Sequence, residues 1–283
     1  MIRISLLVFM CIACWSCRKP AESQTDNEFK IITAGGTISE IVYELGFGDN
    51  IIATDITSTY PSSLQSLPSI GYRNQIKAEG LLALGPDVIL AEEGYLSGDV
   101  VSQLKATGVE IRFFTKPKAI EDTYIIIDQI AEYLGVPEKG KSLNYMVSED
   151  LKVLNEFLLE NNDSSSMAFV MARGQEMVFV AGEETFAESL MKLSGIEFKG
   201  KGFKDFIPLT PEALVAMNPD YLLFFESGLQ SIGGIDGVKN IRGIENTTAF
   251  KQNQILAFDG QYLSGFGPRV GKAALELAKA VKN

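Results

Sequence analysis

The sequence predicts an α/β protein of two lobes, each a mostly parallel sheet with flanking helices, joined by one long helix. Short apolar, β-rich runs alternate with amphipathic segments that end in glycine. The same alternation restarts in the second half of the chain, and a single long amphipathic segment lies between the halves. Strands that alternate with helices build parallel layers. A chain of 283 residues also exceeds the usual size of one globular unit.

In the first half the strands are "KIIT" (30–33), "IIAT" (51–54), "DVILA" (87–91) and "EIRFF" (110–114), with helices at "TISEIVYELG" and "DVVSQLKATG". The connector spans residues 137–162 and carries apolar residues at Leu143, Met146, Val147, Leu151, Leu154, Leu158 and Leu159, the spacing of one long amphipathic helix. The second half supplies strands "AFVM" (168–171), "MVFV" (177–180), "YLLFF" (221–225) and "ILAF" (255–258), with helices such as "ESLMKLSG" among them. The expected division is an N-terminal lobe over 29–136, the connector over 137–162 and a C-terminal lobe over 163–283.

Two internal echoes support paired lobes. "AGGTISEIVYELG" resembles "AGEETFAESLMKLSG", and each places a Glu three residues after a Thr: Thr37 with Glu40, and Thr185 with Glu188. That spacing predicts a capping box at each helix start. The second echo pairs "AEGLLALGPDVILA" with "PEALVAMNPDYLLF", so that Glu79 and Glu212 each stand seven residues before a Pro-Asp. Each Glu opens a helix that stops before proline and feeds a buried strand. One such Glu only complements a helix dipole, whereas a matched pair suggests a docking surface.

The N-terminus "MIRISLLVFMCIACWSC" has one cation, an apolar run too short to span a bilayer, then small residues and cysteine, so residues 1–16 read as a signal peptide. The "CWSC" end resembles a bacterial lipoprotein signal with Cys17 as the lipid-bearing first residue and Cys14 as the competing site. Residues 17–28 have the composition of a flexible tether. This places the protein in the periplasm or on the outer face of a bacterial membrane, held to it by lipid alone.

Composition excludes several functions. The net charge is −11 and no basic run occurs, which argues against nucleic acid. The three cysteines all lie within the first 17 residues, and the chain has no histidine. Zinc sites built on His, Ser-His-Asp and Cys-His catalysis, and imidazole-ligated haem are therefore excluded, and any metal must be held by oxygen. "AGGT" lacks both the spaced glycines of a dinucleotide site and the lysine of a P-loop, so no enzyme signature is present.

The run from "ITAGGTISE" through "TSTYP", "SIGYRNQIKAEG" and "LLALGPDVILA", with "GGIDGV" and "DGQYLSGFGPRVG" later, resembles the haem-binding periplasmic proteins of haem-uptake ABC transporters. These belong to a wider group of helix-linked binding proteins that includes those for cobalamin and ferric siderophores. The likeness covers essentially the whole chain after the tether. "TSTYP", "GY" before "AEG" and "GFGPR" are the haem-specific parts. The resemblance implies two Rossmann-like lobes joined by one helix, a monomer with no enzymatic activity, a cleft that takes haem as cargo, and an ABC permease as partner. A siderophore or cobalamin protein of the same fold is the alternative.

The resemblance also implies roles for single residues. Tyr72, in the "GY" loop, matches the axial iron ligand, and Glu79 and Glu212 match the permease-docking pair. Phenolate is a hard donor suited to ferric iron. A free phenol loses its proton only near pH about 10, so ligation calls on the ferric charge and a nearby cation. Arg73 is the candidate for that cation or for a propionate partner. Relatives place this arginine two residues after the tyrosine, where this chain has Asn74, and in an extended loop an adjacent residue points the other way. Tyr95 follows a strand and is expected at the carboxyl edge of the sheet, as a porphyrin-stacking ring, a second oxygen ligand or a solvent-facing aromatic. Arg173 is a propionate candidate, Tyr60 lines the cleft or is structural, and Phe266 and Arg269 pack and cap the last helix.

Overall fold

Four short runs build the first sheet; three are buried on both faces, as parallel strands between helix layers require, and the edge strand at 110–114 is largely exposed. The computed structural model describes residues 29–161 and 165–282. The signal peptide, the tether, Cys14 and Cys17 lie outside the described residues, as does the predicted junction at 162–163. Strands β1 (Ile31–Ala34), β2 (Ile51–Thr54), β3 (Val88–Glu92) and β4 (Glu110–Phe114) pair in parallel in the order β2-β1-β3-β4. Between and after them lie helices α1 (Gly36–Val42), α2 (Ala78–Ala83), α3 (Gly98–Thr107) and α4 (Ile120–Tyr133).

The connector is α5 (Pro137–Glu160), 24 residues and therefore about 36 Å long. It packs on α4 and on the last helix of the chain. Its buried ridge is narrower than the sequence suggests. Leu143, Val147 and Leu154 are buried, whereas Met146 is 52% and Leu159 84% exposed. Leu159 stands about 160° round the helix from Leu143, away from the packed face.

The second sheet holds β5 (Ser166–Ala172), β6 (Val178–Ala181), β7 (Glu197–Phe198), β8 (Phe206–Pro208), β9 (Tyr221–Phe225) and β10 (Ile255–Phe258). Its order is β10-β9-β5-β6-β8, with β7 also beside β5. The strands β10, β9, β5 and β7 are parallel, but β6 runs antiparallel to both β5 and β8. Sequence reading missed β7 and β8 and did not foresee this reversal. Its cause is length: only Arg173–Met177 separate β5 from β6, too few residues for a crossover helix, so the chain turns back as a hairpin. Helices α6 (Phe186–Leu193), α7 (Pro211–Met217), α8 (Glu226–Ser231), α9 (Gly234–Val238), α10 (Thr248–Lys251), α11 (Gly260–Ser264) and α12 (Val270–Lys282) complete this half.

The second sequence echo is realised with unexpected detail. Glu79 and Glu212 are each the second residue of α2 and α7, and both side chains are exposed. The aspartate of each Pro-Asp pair stands immediately before an interior strand of its own sheet, β3 or β9. Asp87 accepts from the Lys30 amide at 2.8 Å beside β1, and Asp220 accepts from the Ser166 amide at 2.9 Å at the head of β5. The two lobes thus share one local solution for beginning a buried strand.

The first echo does not form the capping boxes expected of it. Thr37 lies inside α1 and donates to the Gly265 carbonyl at 2.7 Å, while Glu40, 3% exposed, is held by Arg269. Both residues point across to the second lobe, so the helix start is not their partner. Around α6, Glu188 accepts from the Glu184 amide at 2.7 Å, whereas the Thr185 hydroxyl donates to the Gly182 carbonyl, so only part of a box is made. Among the described residues no helix is long and apolar enough to cross a membrane.

Candidate functional site

The carboxyl ends of both sheets face a cavity of about 680 Å³, within the size range of small-ligand sites. The loops after β1, β2, β3 and β4 line it from one lobe, and those after β5, β9 and β10 from the other. Open α/β sheets bind ligands at this edge because loops diverge there.

Tyr72 lines the cavity with its side chain half-buried. The loop that carries it runs alongside the end of β2. Thr54 donates to the Pro68 carbonyl at 3.1 Å, Ile70 to the Thr54 carbonyl at 2.9 Å, and Ile56 to the Gly71 carbonyl at 3.2 Å. Gly71, at φ 91°, makes the bend that delivers Tyr72.

Arg73 does not point away from Tyr72. Its backbone is left-handed, at φ 34°, and opens a short 3₁₀ turn over Arg73–Gln75. The alternation rule for extended chain therefore fails at this residue. The guanidinium lies 5.7 Å from the Tyr72 ring centre and 4.9 Å from that of Tyr95, both within cation–π range. Asn74 is exposed.

Tyr95 is not a solvent-facing loop aromatic: it is 3% exposed, with its ring edge-on to Tyr72 at 6.2 Å. Its hydroxyl donates to buried Asp55, so it is not free to serve as a second oxygen ligand. Burial, followed by the Asp55 charge and hydrogen bond, raises its proton affinity well above that of an ordinary phenol. Tyr60 lies elsewhere. Its ring sits under the Arg269 guanidinium at 3.5 Å, a structural stacking outside the cavity lining. Arg173 lines the opposite wall, on the β5–β6 hairpin, with its side chain exposed.

Several cavity residues escaped sequence reading. Lys116, after β4, joins Arg73 and Arg173 as a third cation, and Glu92, Glu226 and Asp259 are the acids. The signal for Lys116 was present, since it stands two residues beyond a predicted strand at the ligand-binding edge. Glu92 is 4% exposed; burial raises its carboxyl above the ordinary value, Lys116 opposes that, and Asp55 adds to it. Gln261, buried in α11, was missed because its role is contact between lobes.

That contact forms the back of the cleft. Arg269 Nε and Nη2 each donate to the Glu40 carboxylate at 2.9 Å, a bidentate pair. Gln261 donates to the Gly36 carbonyl at 2.8 Å and to Glu40 at 3.1 Å, and its Oε1 accepts from the Thr59 and Tyr60 amides at 2.7 and 3.1 Å. The expectation that Phe266 and Arg269 cap the last helix gives way to this. Arg269 reaches across to the first lobe, and buried Phe266 offers its carbonyl to the Thr123 hydroxyl at 2.7 Å. Gly36 sits at the tightest point, where a Cβ would stand 2.7 Å from the Thr57 carbonyl oxygen and 2.8 Å from Gln261 Cδ. Gly36→Ala is expected to cost about 1–3 kcal/mol through overpacking, read as a lower thermal midpoint. An unchanged midpoint would mean that the two lobes yield there freely.

Two sheets presenting their carboxyl edges to one cleft, linked by a single helix, define a solute-capturing binding protein. The sequence matches the periplasmic binding protein family over residues 31–262, and the chain belongs to that family. Within it, the chain is similar to the periplasmic heme-binding protein RhuT from Roseiflexus sp. RS-1, solved in apo form. The two share 32% identity and a TM-score of 0.86 over 89% of this chain and 97% of that one. The Bacillus subtilis (strain 168) protein named "Uncharacterized ABC transporter substrate-binding lipoprotein YvrC" is 24% identical over 255 residues, 89% of this chain and 79% of YvrC. The vitamin B12-binding protein of Yersinia pestis (strain Pestoides F) is also 24% identical, over 88% of this chain and 85% of its own.

Proposed function

We propose that this protein captures haem in the cleft between its lobes, with Tyr72 as the axial iron ligand, and delivers it to an ABC permease. The observation that carries this reading is an oxygen donor on a fixed loop, with a guanidinium beside it, at the edge of an open cavity in a chain without histidine. Ferric iron favours phenolate, and the cations Arg73, Lys116 and Arg173 suit the two propionates of the porphyrin. The likeness to RhuT supports the same ligand class. The role is binding and transfer, without chemical turnover.

The signal peptide over 1–16, lipidation at Cys17 (Cys14 as alternative), the tether over 17–28 and the lobe limits 29–136 and 163–283 complete the reading. The protein acts as a monomer on the outer side of a bacterial membrane. The likeness to a lipoprotein supports the anchor. A corrin ligand is the second reading, favoured by the likeness to the vitamin B12-binding protein. Corrin side chains are neutral amides, however, and do not use three cations.

Hemin added to the soluble protein is expected to give a saturable Soret shift with high-spin ferric features. Binding of cobalamin with no response to hemin would reverse the ranking. Charge reversal of both Glu79 and Glu212 is expected to leave that titration unchanged and to abolish uptake in vesicles containing the cognate permease. Undiminished uptake would remove the docking role.

A further inference from the structure

We propose that Asp55 and Tyr95 are positioning residues that hold Arg73 against Tyr72 and so fix the Tyr72 ring before any ligand arrives. This rests on the reading of Tyr72 as the cleft's ligand donor; Asp55 stands outside the cavity lining, and the Tyr95 ring, which is part of that lining, acts here through Arg73 and Tyr72.

Asp55 is the fixed point. It is 2% exposed and directly follows β2, and its carboxylate collects donors from every side. The Gly35 amide donates at 2.9 Å, the Thr57 amide at 2.8 Å and the Ser58 hydroxyl at 2.8 Å, and the Thr57 and Tyr95 hydroxyls donate to Oδ2. A carboxylate with five donors has no lone pair to spare for a ligand, and it has one orientation. Its remaining function is to orient what binds to it.

Tyr95 transmits that orientation. One end is tied to Asp55, and the ring, 3% exposed, cannot turn without breaking its packing. Its faces and edges then constrain two neighbours. The Arg73 guanidinium lies 4.9 Å from the Tyr95 ring centre, and the Tyr72 ring meets Tyr95 edge-on at 6.2 Å, with an interplanar angle of 85°. Arg73 closes the triangle at 5.7 Å from Tyr72.

The backbone supplies the second constraint. The hydrogen bonds between 54–56 and 68–71 place Asp55 and Tyr72 on one laced pair of segments, so they move together. The left-handed backbone of Arg73 is costly for a residue with a Cβ and persists only where its surroundings over-determine it. The contacts of its guanidinium with two rings are such surroundings. The arginine adjacent to Tyr72 thus reaches its ring by a left-handed backbone, and the Tyr95 ring receives it.

The test uses the soluble protein with 3-fluorotyrosine placed at position 72. In Tyr95→Phe, which keeps the ring and removes only the hydroxyl, the fluorine resonance of the ligand-free protein is expected to shift or broaden relative to the single sharp line of wild type. Hemin is expected to leave the variant at least about tenfold faster, in the range that outer-sphere changes produce, with an altered rhombicity of the high-spin ferric EPR signal. Arg73→Met, at an exposed position, is expected to move the fluorine line as well. A Tyr95→Phe protein, folded by circular dichroism, with the wild-type fluorine line and the wild-type hemin off-rate would overturn the proposal. If wild type binds no hemin while the fluorine line still responds to Tyr95→Phe, the positioning role stands and the ligand assignment falls.

Discussion

Tyr72→Phe is expected to abolish the ferric phenolate signature and to weaken hemin binding by more than the roughly 10–100-fold that loss of an outer-sphere partner costs. The substitution keeps the ring and its edge-on contact with Tyr95, so the fold should not change. What it removes is one phenol oxygen, and neither nearby tyrosine can replace it. The chain has no histidine, the Tyr95 hydroxyl is committed to Asp55, and Tyr60 is stacked under Arg269. A hundredfold loss corresponds to about 2.8 kcal/mol. The measurement is a paired hemin titration with visible and EPR spectra. A variant with the wild-type spectrum and affinity would show that Tyr72 does not touch the iron.

Arg269→Met is expected to be the most destabilising single change at the lobe interface, by about 3–5 kcal/mol. The pair it breaks is lopsided: the Glu40 side chain is 3% exposed and that of Arg269 20%. Removing the arginine leaves a buried carboxylate with only Gln261 as donor, and the desolvation that the pair offset is then uncompensated. For a protein of this size each kcal/mol moves the thermal midpoint by roughly 2–4 °C, so a fall on the order of 10 °C is expected by circular dichroism. The double change with Glu40→Gln should recover part of the loss, because the stranded charge is gone. A single variant within about 1 kcal/mol of wild type would mean that the interface does not depend on this pair.

The echo between the lobes shows how far local pattern carries. "PDVILA" and "PDYLLF" were legible as helix end, turn and buried strand because each step is local: proline stops the helix, and an apolar run fills a strand between two layers. Glu79 and Glu212 were legible for the same reason, as exposed residues in a first turn. Thr37 and Glu40 misled because their spacing also satisfies a local motif, the capping box, while their partners stand 228 and 229 residues away. A local rule has no access to such a partner.

The sequence alone determined the α/β class, the connector helix and the lack of any nitrogen ligand for iron from histidine, which follow from composition and periodicity and depend on neighbours a few residues apart; Tyr72 came from the resemblance to haem-binding proteins. Tertiary structure alone decided the partners: Arg73 turned back over two aromatic rings, Tyr95 tied down by Asp55, Lys116 brought to the cleft, and Arg269, just ahead of the last helix, drawn to Glu40 in the first. For Tyr95 with Asp55, and for Arg269 with Glu40, the deciding force is burial, which makes an unpaired charge or hydroxyl costly and obliges it to find whatever donor or acceptor the fold has brought within reach.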